Sequence, residues 1–433
     1  MGDAVVTMDD HDRVLRPGIV DVVGDRIAWV GPPEDAPPSR APVSPVGGLL
    51  MPGLVNTHSH SSMTLLRGGG NVDGLPLDRW LRESVWPREA ALQGEDVYWG
   101  TLLGVHELLR GGVTTTSEMY LHSREVALAA LDGGIRCVVT PGIFDLPGAD
   151  GGWASALDEA GALHAELHGR DGRVTVGLGP HSAYALPPEG LAATARVAAE
   201  LGAPVHVHVA ETVGEGAMVE EVHGCRVPEL LARLGLFDGP VVAAHSVWLD
   251  QTDLDLYARH DVAVAHCPRS NGRLGSGVAR VAEMLGRGIR VGLGTDGPAS
   301  TGDLDLWQEV RLAPLLARGT AADPEVMSTG QALRLATRGG ADALGVPTGS
   351  LQAGRLADLV RLDLDDSSFI PALDPDDLLS HLVWAAPSRL VTDVWVGGRQ
   401  VVAAGRCVTV DGTAARDEVA QRSRRLVRDA RPA

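Results

Sequence analysis

Short apolar segments recur through the middle of the chain, at 135–139, 174–178, 205–209, 241–244, 262–265 and 291–293. Stretches rich in Ala, Leu, Arg and Glu, such as 191–201 and 278–285, separate them. Segments of this length and β-branched content read as buried strands, and the stretches between them as helices. Such alternation calls for a parallel sheet, because parallel neighbours need a crossover connection. The repeat count fits an α/β fold of the closed (β/α)8 barrel type. An open doubly wound sheet would carry a Gly-x-Gly-x-x-Gly turn after its first strand, and none stands there.

The two ends read differently. Residues 14–16, 19–23 and 26–30 alternate as strands, with Gly24-Asp25 as a turn between the last two. A Pro-rich stretch follows through Pro32, Pro33, Pro37, Pro38, Pro42 and Pro45. Residues 359–364 and 391–396 alternate again, and Gly397-Gly398 turns into 400–402. Two β-rich ends around a different middle are expected to pair into one small β-sandwich domain. It would comprise residues 1–50 and 350–433, around a barrel of residues 51–349. A length of 433 residues suits a barrel of about 250 residues plus a smaller domain.

Composition removes several functions. The formal net charge is -19, and no basic cluster precedes Arg422-Ser423-Arg424-Arg425, which reads as a solvated helix end. A nucleic-acid partner needs a basic stripe and is excluded. No apolar stretch reaches the ~20 residues of a membrane helix, and the N-terminus lacks the pattern of a signal peptide. Four cysteines, Cys137, Cys225, Cys267 and Cys407, form no Cys-x-x-Cys pair, so a thiolate zinc site is disfavoured and a reducing cytoplasm is expected. All 37 basic residues are arginines. A carbamylated lysine bridging two metals is therefore impossible, and a metal site here should hold one ion.

Polar residues close strand after strand, at the end where a barrel carries its active site. His58 and His60 follow the apolar run 48–55, and side chains two apart on a strand point the same way. His181, then His206, His208 and Glu211, then His245, His266 and Asp296 follow later strands. A single histidine of this kind is more often structural. A His or Asp in register at successive strand ends is hard to produce by chance, and imidazole is the commonest metal ligand.

The ordered set His-x-His, His-x-x-Glu, His and Asp resembles the amidohydrolase superfamily. Further stretches share the likeness: Pro52 to His60, Met63 to Gly68, Trp80-Leu81, Trp86-Pro87-Arg88-Glu89, Ser270 to Gly277 and Gly294-Thr295-Asp296-Gly297. Together they are similar to the branch of S-adenosylhomocysteine/5′-methylthioadenosine deaminases and triazine hydrolases. The resemblance implies one Zn²⁺, with Fe²⁺ tolerated, on His58, His60, His208 and Asp296. His206 is the rival of His208, and by the family pattern Glu211, three residues past His208, favours His208. Glu211, His245 and Asp296 would be catalytic: Asp296 takes a proton from water, Glu211 protonates the ring nitrogen, and His245 hydrogen-bonds the attacking oxygen. Glu89 would receive ribose hydroxyls, and His181, Glu211 and Trp153 would face the substrate; His122 is a weaker candidate.

Adenosylhomocysteine enzymes of this branch clamp a carboxylate with two arginines, where this chain has Pro141 and Trp153. The expected substrate is therefore 5′-methylthioadenosine, 5′-deoxyadenosine or adenosine rather than adenosylhomocysteine. A free purine or pterin base, or a triazine, is the alternative on the same machinery. The partner is a small heteroaromatic molecule, and family likeness implies a homo-oligomer.

Overall fold

A computed structural model describes residues 1–38, 43–68, 74–145, 152–371 and 374–429. Pro42 of the Pro-rich stretch lies outside them. Eight parallel strands follow one another through the middle of the chain: Leu54–Ser59, Val113–Tyr120, Arg136–Ile143, Val174–Val176, Val205–Val209, Val241–His245, Ala263–His266 and Val291–Leu293. At least one helix fills each connection, among them Gly94–Arg110, Ser123–Gly133 and Gln251–His260. The helix expected at 191–201 begins earlier, at Pro188, because proline's fixed φ suits a first turn whose N–H is unpaired anyway.

The strands do not form one continuous ladder. The first four make one sheet, to which the short strand Gly179–Pro180 adds, and the last four make another. A single parallel bridge spans each gap, Leu178 with Val205 and Ser59 with Asp296. At the first gap Pro204 precedes Val205 and has no N–H to extend the ladder; its carbonyl accepts from Leu178 N at 2.9 Å. Across the second gap, Asp296 N donates to His58 O at 3.0 Å. Asn56 Nδ2 donates to Thr295 Oγ1 at 2.8 Å, and Thr295 N donates to Asn56 Oδ1 at 3.0 Å. All of this seam is buried.

The chain ends meet in one sheet. Its order is Arg406–Cys407, Arg399–Ala403, Val391–Val396, Leu359–Leu362, Leu49–Pro52, Ala4–Val6 and Val14–Leu15. The hairpin Ile19–Val23/Arg26–Gly31 turns at Gly24-Asp25 and forms its own two-stranded sheet. Val5, Leu50 and Leu359 of the large sheet share a small apolar core with Ile27, Val20 and Val30 of the hairpin.

Two expectations change. The run 48–55 is two strands, because Leu49–Pro52 pairs with Leu359–Leu362 while Leu54–Ser59 pairs with Val113–Tyr120. Gly53 makes the transfer possible: a Cβ there would lie 2.1 Å from Thr114 Oγ1. The basic C-terminal cluster is also no simple solvated end. Helix Gly412–Asp429 packs on Gly94–Arg110, and Arg422 and Arg425 both reach the buried carboxylate of Asp96. Among the described residues, no helix is long and apolar enough to cross a membrane.

Replacing Asn56 with Ala strips the Thr295 N–H of its acceptor. We expect a stability loss of about 1–3 kcal/mol, the usual cost of an unsatisfied buried group, read from the urea-unfolding midpoint. A wild-type midpoint would show that the seam holds without this pair.

Candidate metal and active site

Four imidazoles converge at the C-terminal ends of the parallel strands, and each is tied from behind. His60 Nδ1 donates to the Met119 carbonyl at 2.5 Å, and His208 Nδ1 donates to the His181 carbonyl at 2.8 Å. A carbonyl only accepts, so these two nitrogens carry the protons. His245 Nδ1 donates to Asn271 Oδ1 at 2.9 Å. His58 Nδ1 lies 3.0 Å from His206 Nε2, whose ring partner Nδ1 is 3.0 Å from Ser117 Oγ. Each of the four is thereby left with Nε2 to present.

Those nitrogens and one carboxylate meet. His60 Nε2 lies 3.3 Å, and His58 Nε2 3.6 Å, from Asp296 Oδ1. Ligand atoms of His58, His60 and Asp296 all fall within 4.8 Å of one another, as do those of His58, His208 and His245. His58 Nε2 is buried with no hydrogen-bond partner. An orphaned nitrogen among imidazoles and one carboxylate fits a divalent cation of the zinc or iron type. Burial holds His58 down to about 3 and His208 well below the usual imidazole range, so both are neutral and available as ligands.

The two carboxylates differ. Burial alone would raise Asp296, but the surrounding imidazoles of His58, His60 and His245 hold it well below the usual range. Ser270 Oγ and Ser300 Oγ donate to its Oδ2 at 2.5 and 3.1 Å, and Gly297 N donates to its Oδ1 at 2.7 Å. Burial raises Glu211, which accepts from Ser276 Oγ at a long 3.5 Å. Glu211 Oε2 is 3.7 Å from His245 Nε2. Burial lowers His245, yet Glu211 and Asp296 outweigh it and the net direction is up. Ala210, His245 and Asp296 all adopt left-handed φ, between +49° and +68°. Strain of this kind in non-glycine residues persists only where the surroundings impose it.

A cavity opens onto the cluster. Glu89, His181, Glu211, His245 and Asp296 line it. Burial raises Glu89 and lowers His181 to about 4. Trp153 does not line it: the helix Gly152–Leu167 turns the indole toward Gly190, where the missing side chain makes room. His122 is exposed at the cap of helix Ser123–Gly133, and His266 is buried off the cavity. Both nitrogens of His206 are engaged, so it stands behind His58 rather than among the ligand atoms. Sequence reading missed Asn271, Ser270, Ser300 and Ser117. Only the stretch Ser270-Asn271 hinted at two of them.

Comparison with known proteins identifies the family. Residues 49–401 match the model described as "Amidohydrolase family". The chain is 40% identical over 98% of both chains to a 5-methylthioadenosine/S-adenosylhomocysteine deaminase of Pelotomaculum thermopropionicum. It is 41% identical over 88% of both chains to a 5'-deoxyadenosine deaminase of Methanothermobacter thermautotrophicus. An adenosine deaminase of Xanthomonas campestris, solved with bound zinc, superposes with a TM-score of 0.92 at 35% identity, covering 99% of this chain and 98% of that one. The chain belongs to the amidohydrolase family.

Glu215 supplies a pH test. Its Oε2 accepts from Glu211 N at 2.8 Å, and burial pushes its carboxyl up to about 7. An unfolded glutamate ionises near 4.5 while the folded one keeps its proton. The folded state therefore loses relative stability as pH rises from about 4.5 through about 7. The Tm of Glu215→Gln minus that of wild type should grow across this window and stay flat below it. A constant difference would refute the assignment.

Proposed function

We propose that the chain is a zinc-dependent aminohydrolase that replaces the C6 amino group of an adenine nucleoside with oxygen. We propose further that one Zn²⁺ sits on His58, His60, His208 and Asp296, and that the eight strands act as one (β/α)8 barrel over residues 51–349. The terminal sheet, whose strand Leu49–Pro52 runs two residues past the expected boundary at 50, and the hairpin form a β-sandwich beside it. The two bridged gaps and the shared core of the hairpin and sheet support that arrangement. The observation that carries the function is Glu211, its carboxyl raised by burial, beside His245 and a cation-ready cluster in one cavity.

Bound zinc supplies hydroxide near neutral pH by lowering the pKa of water from about 15.7 towards 7. The residues do the rest. Asp296 accepts the proton released by the attacking water. Glu211 delivers its proton to N1 as electron density moves there from the C6 bond. His245 Nε2 hydrogen-bonds the oxygen added at C6. The proton on Asp296 then passes to the amino group, the C6–N bond breaks to release ammonia, and the added hydroxyl returns a proton to Glu211 as C6 collapses to the oxo product. Glu89 and His181 hold the sugar and ring, and proton relays of this type contribute roughly 10²–10⁴-fold.

The tail is chosen by what the cavity lacks. Among the described residues no arginine lines it, and Leu77, Trp80, Leu81, Val85, Trp86 and Phe144 give it an apolar wall. Neither residues 69–73 nor 146–151 include an arginine. A small apolar 5′ group suits such a wall, and an amino-acid carboxylate would be buried there without a partner.

Ammonia release should show a kcat/KM for 5′-methylthioadenosine or 5′-deoxyadenosine at least tenfold above that for adenosylhomocysteine. Glu211→Gln should keep zinc by elemental analysis while kcat falls 10²-fold or more. Release from free bases, pterins or triazines, with none from nucleosides, would overturn the reading.

A further inference from the structure

His206 shares the strand Val205–Val209 with His208 and lies two residues before it, on the same side of the strand and about 6.6 Å further from its end. It is 2% exposed, and its partner Ser117 is 1% exposed. Its Nε2 is 3.0 Å from His58 Nδ1, and its Nδ1 is 3.0 Å from Ser117 Oγ. His60, His208 and His245 are tied by amide oxygens, which can only accept. His58 differs. Its partner is another imidazole, which can donate or accept at Nε2 according to where its own proton sits.

We propose that His206 is a positioning residue for the metal centre: Ser117 holds its Nδ1–H, so that its Nε2 accepts from His58 Nδ1–H and leaves His58 Nε2 as a lone pair facing the ion. The inference rests on the reading that this cluster holds a divalent metal. The opposite order, with His206 Nε2–H donating to His58, would put the neutral His58 proton on Nε2 and close that position to a cation. The orphaned state of His58 Nε2 favours the first order: a protonated Nε2 there would be a buried donor with no partner in hydrogen-bond geometry, Asp296 Oδ1 lying 3.6 Å away. His58 is thus the ligand whose competence depends on a side chain that substitution can change, whereas His60 and His208 rely on backbone.

The test reads metal rather than turnover. Metal-stripped wild type, His206→Gln and His206→Leu are titrated with zinc against a chromophoric chelator. Gln keeps an oxygen acceptor near the position of Nε2, and Leu fills similar space without one. We expect zinc affinity to fall 10–100-fold in His206→Leu, the range typical for losing an outer partner of a ligating histidine. His206→Gln should stay within about threefold of wild type. Should His206→Leu misfold, Ser117→Ala frees the far end of the relay and should weaken zinc severalfold with the fold intact. Equal affinity in every variant, or equal loss in the Gln and Leu variants, would overturn the proposal and leave the functional reading standing. A wild type that takes up no stoichiometric zinc would bring down both.

Discussion

A neutral imidazole has one proton and one lone pair on its ring nitrogens, so a fixed partner on one nitrogen decides what the other can do. Around this cluster that choice is made four times in the same sense. Carbonyls of Met119 and His181, the amide oxygen of Asn271 and the imidazole of His206 stand behind the rings. Four Nε2 atoms then face inward. Two of the supporting carbonyls belong to neighbouring strand ends, so the tautomers are fixed by the sheet itself. A rotation of His60 or His208 that brought Nδ1 inward would strand a buried backbone acceptor. Ring orientation is therefore tied to the stability of the fold.

The same logic explains why the seam between the first and last parallel strands matters. His58 and His60 belong to one sheet, and Asp296 follows the last strand of the other. The bond from Asp296 N to His58 O, together with the Asn56–Thr295 pair, holds these sheet edges together one residue from the ligands. Asp296 reaches the cluster through a left-handed φ of +58°, which its neighbours must sustain. The serines on its Oδ2 do so while leaving Oδ1 toward the histidines. On the other flank, Gly53 transfers the chain directly from the terminal sheet into the strand of His58. The terminal sheet thus anchors the strand that carries two of the ligands.

The strand alternation, the two hairpin turns and the His and Asp residues at strand ends were legible because each rests on local pattern: period, turn chemistry, or a side chain with few other reasons to recur. The run 48–55 was read as one strand because apolar pattern does not reveal which sheet a strand joins. Gly53 was the signal, and its meaning depends on Thr114, distant in sequence. Trp153 was placed at the substrate by likeness alone, while its indole follows the helix toward Gly190. The residues that tie the ligands were silent for a different reason. Serines and asparagines are common everywhere, and only three-dimensional proximity distinguishes Ser117, Ser270 and Asn271 from surface examples. Arg422 and Arg425 looked solvated because Asp96, their partner, lies more than three hundred residues away.

Two carboxylates at one mouth acquire opposite chemistry from their surroundings. Asp296 is met by two hydroxyls, a backbone N–H and imidazoles, and every one of these favours its anion. Glu211 sits as deep with a single long hydroxyl contact, and burial is the largest influence on it. The first is therefore a ligand and acceptor, and the second holds a proton more readily than an ordinary glutamate. His245 stands between them, drawn upward by the neighbouring Glu211 and Asp296 carboxyl groups and held at Nδ1 by Asn271. Its Nε2 is then set to follow the charge on whatever is added at the ring, since any proton it gains is stabilised from two sides. The division of labour needs no unusual residue. It needs donors crowded on one carboxylate and withheld from the other, and the strand ends supply that asymmetry.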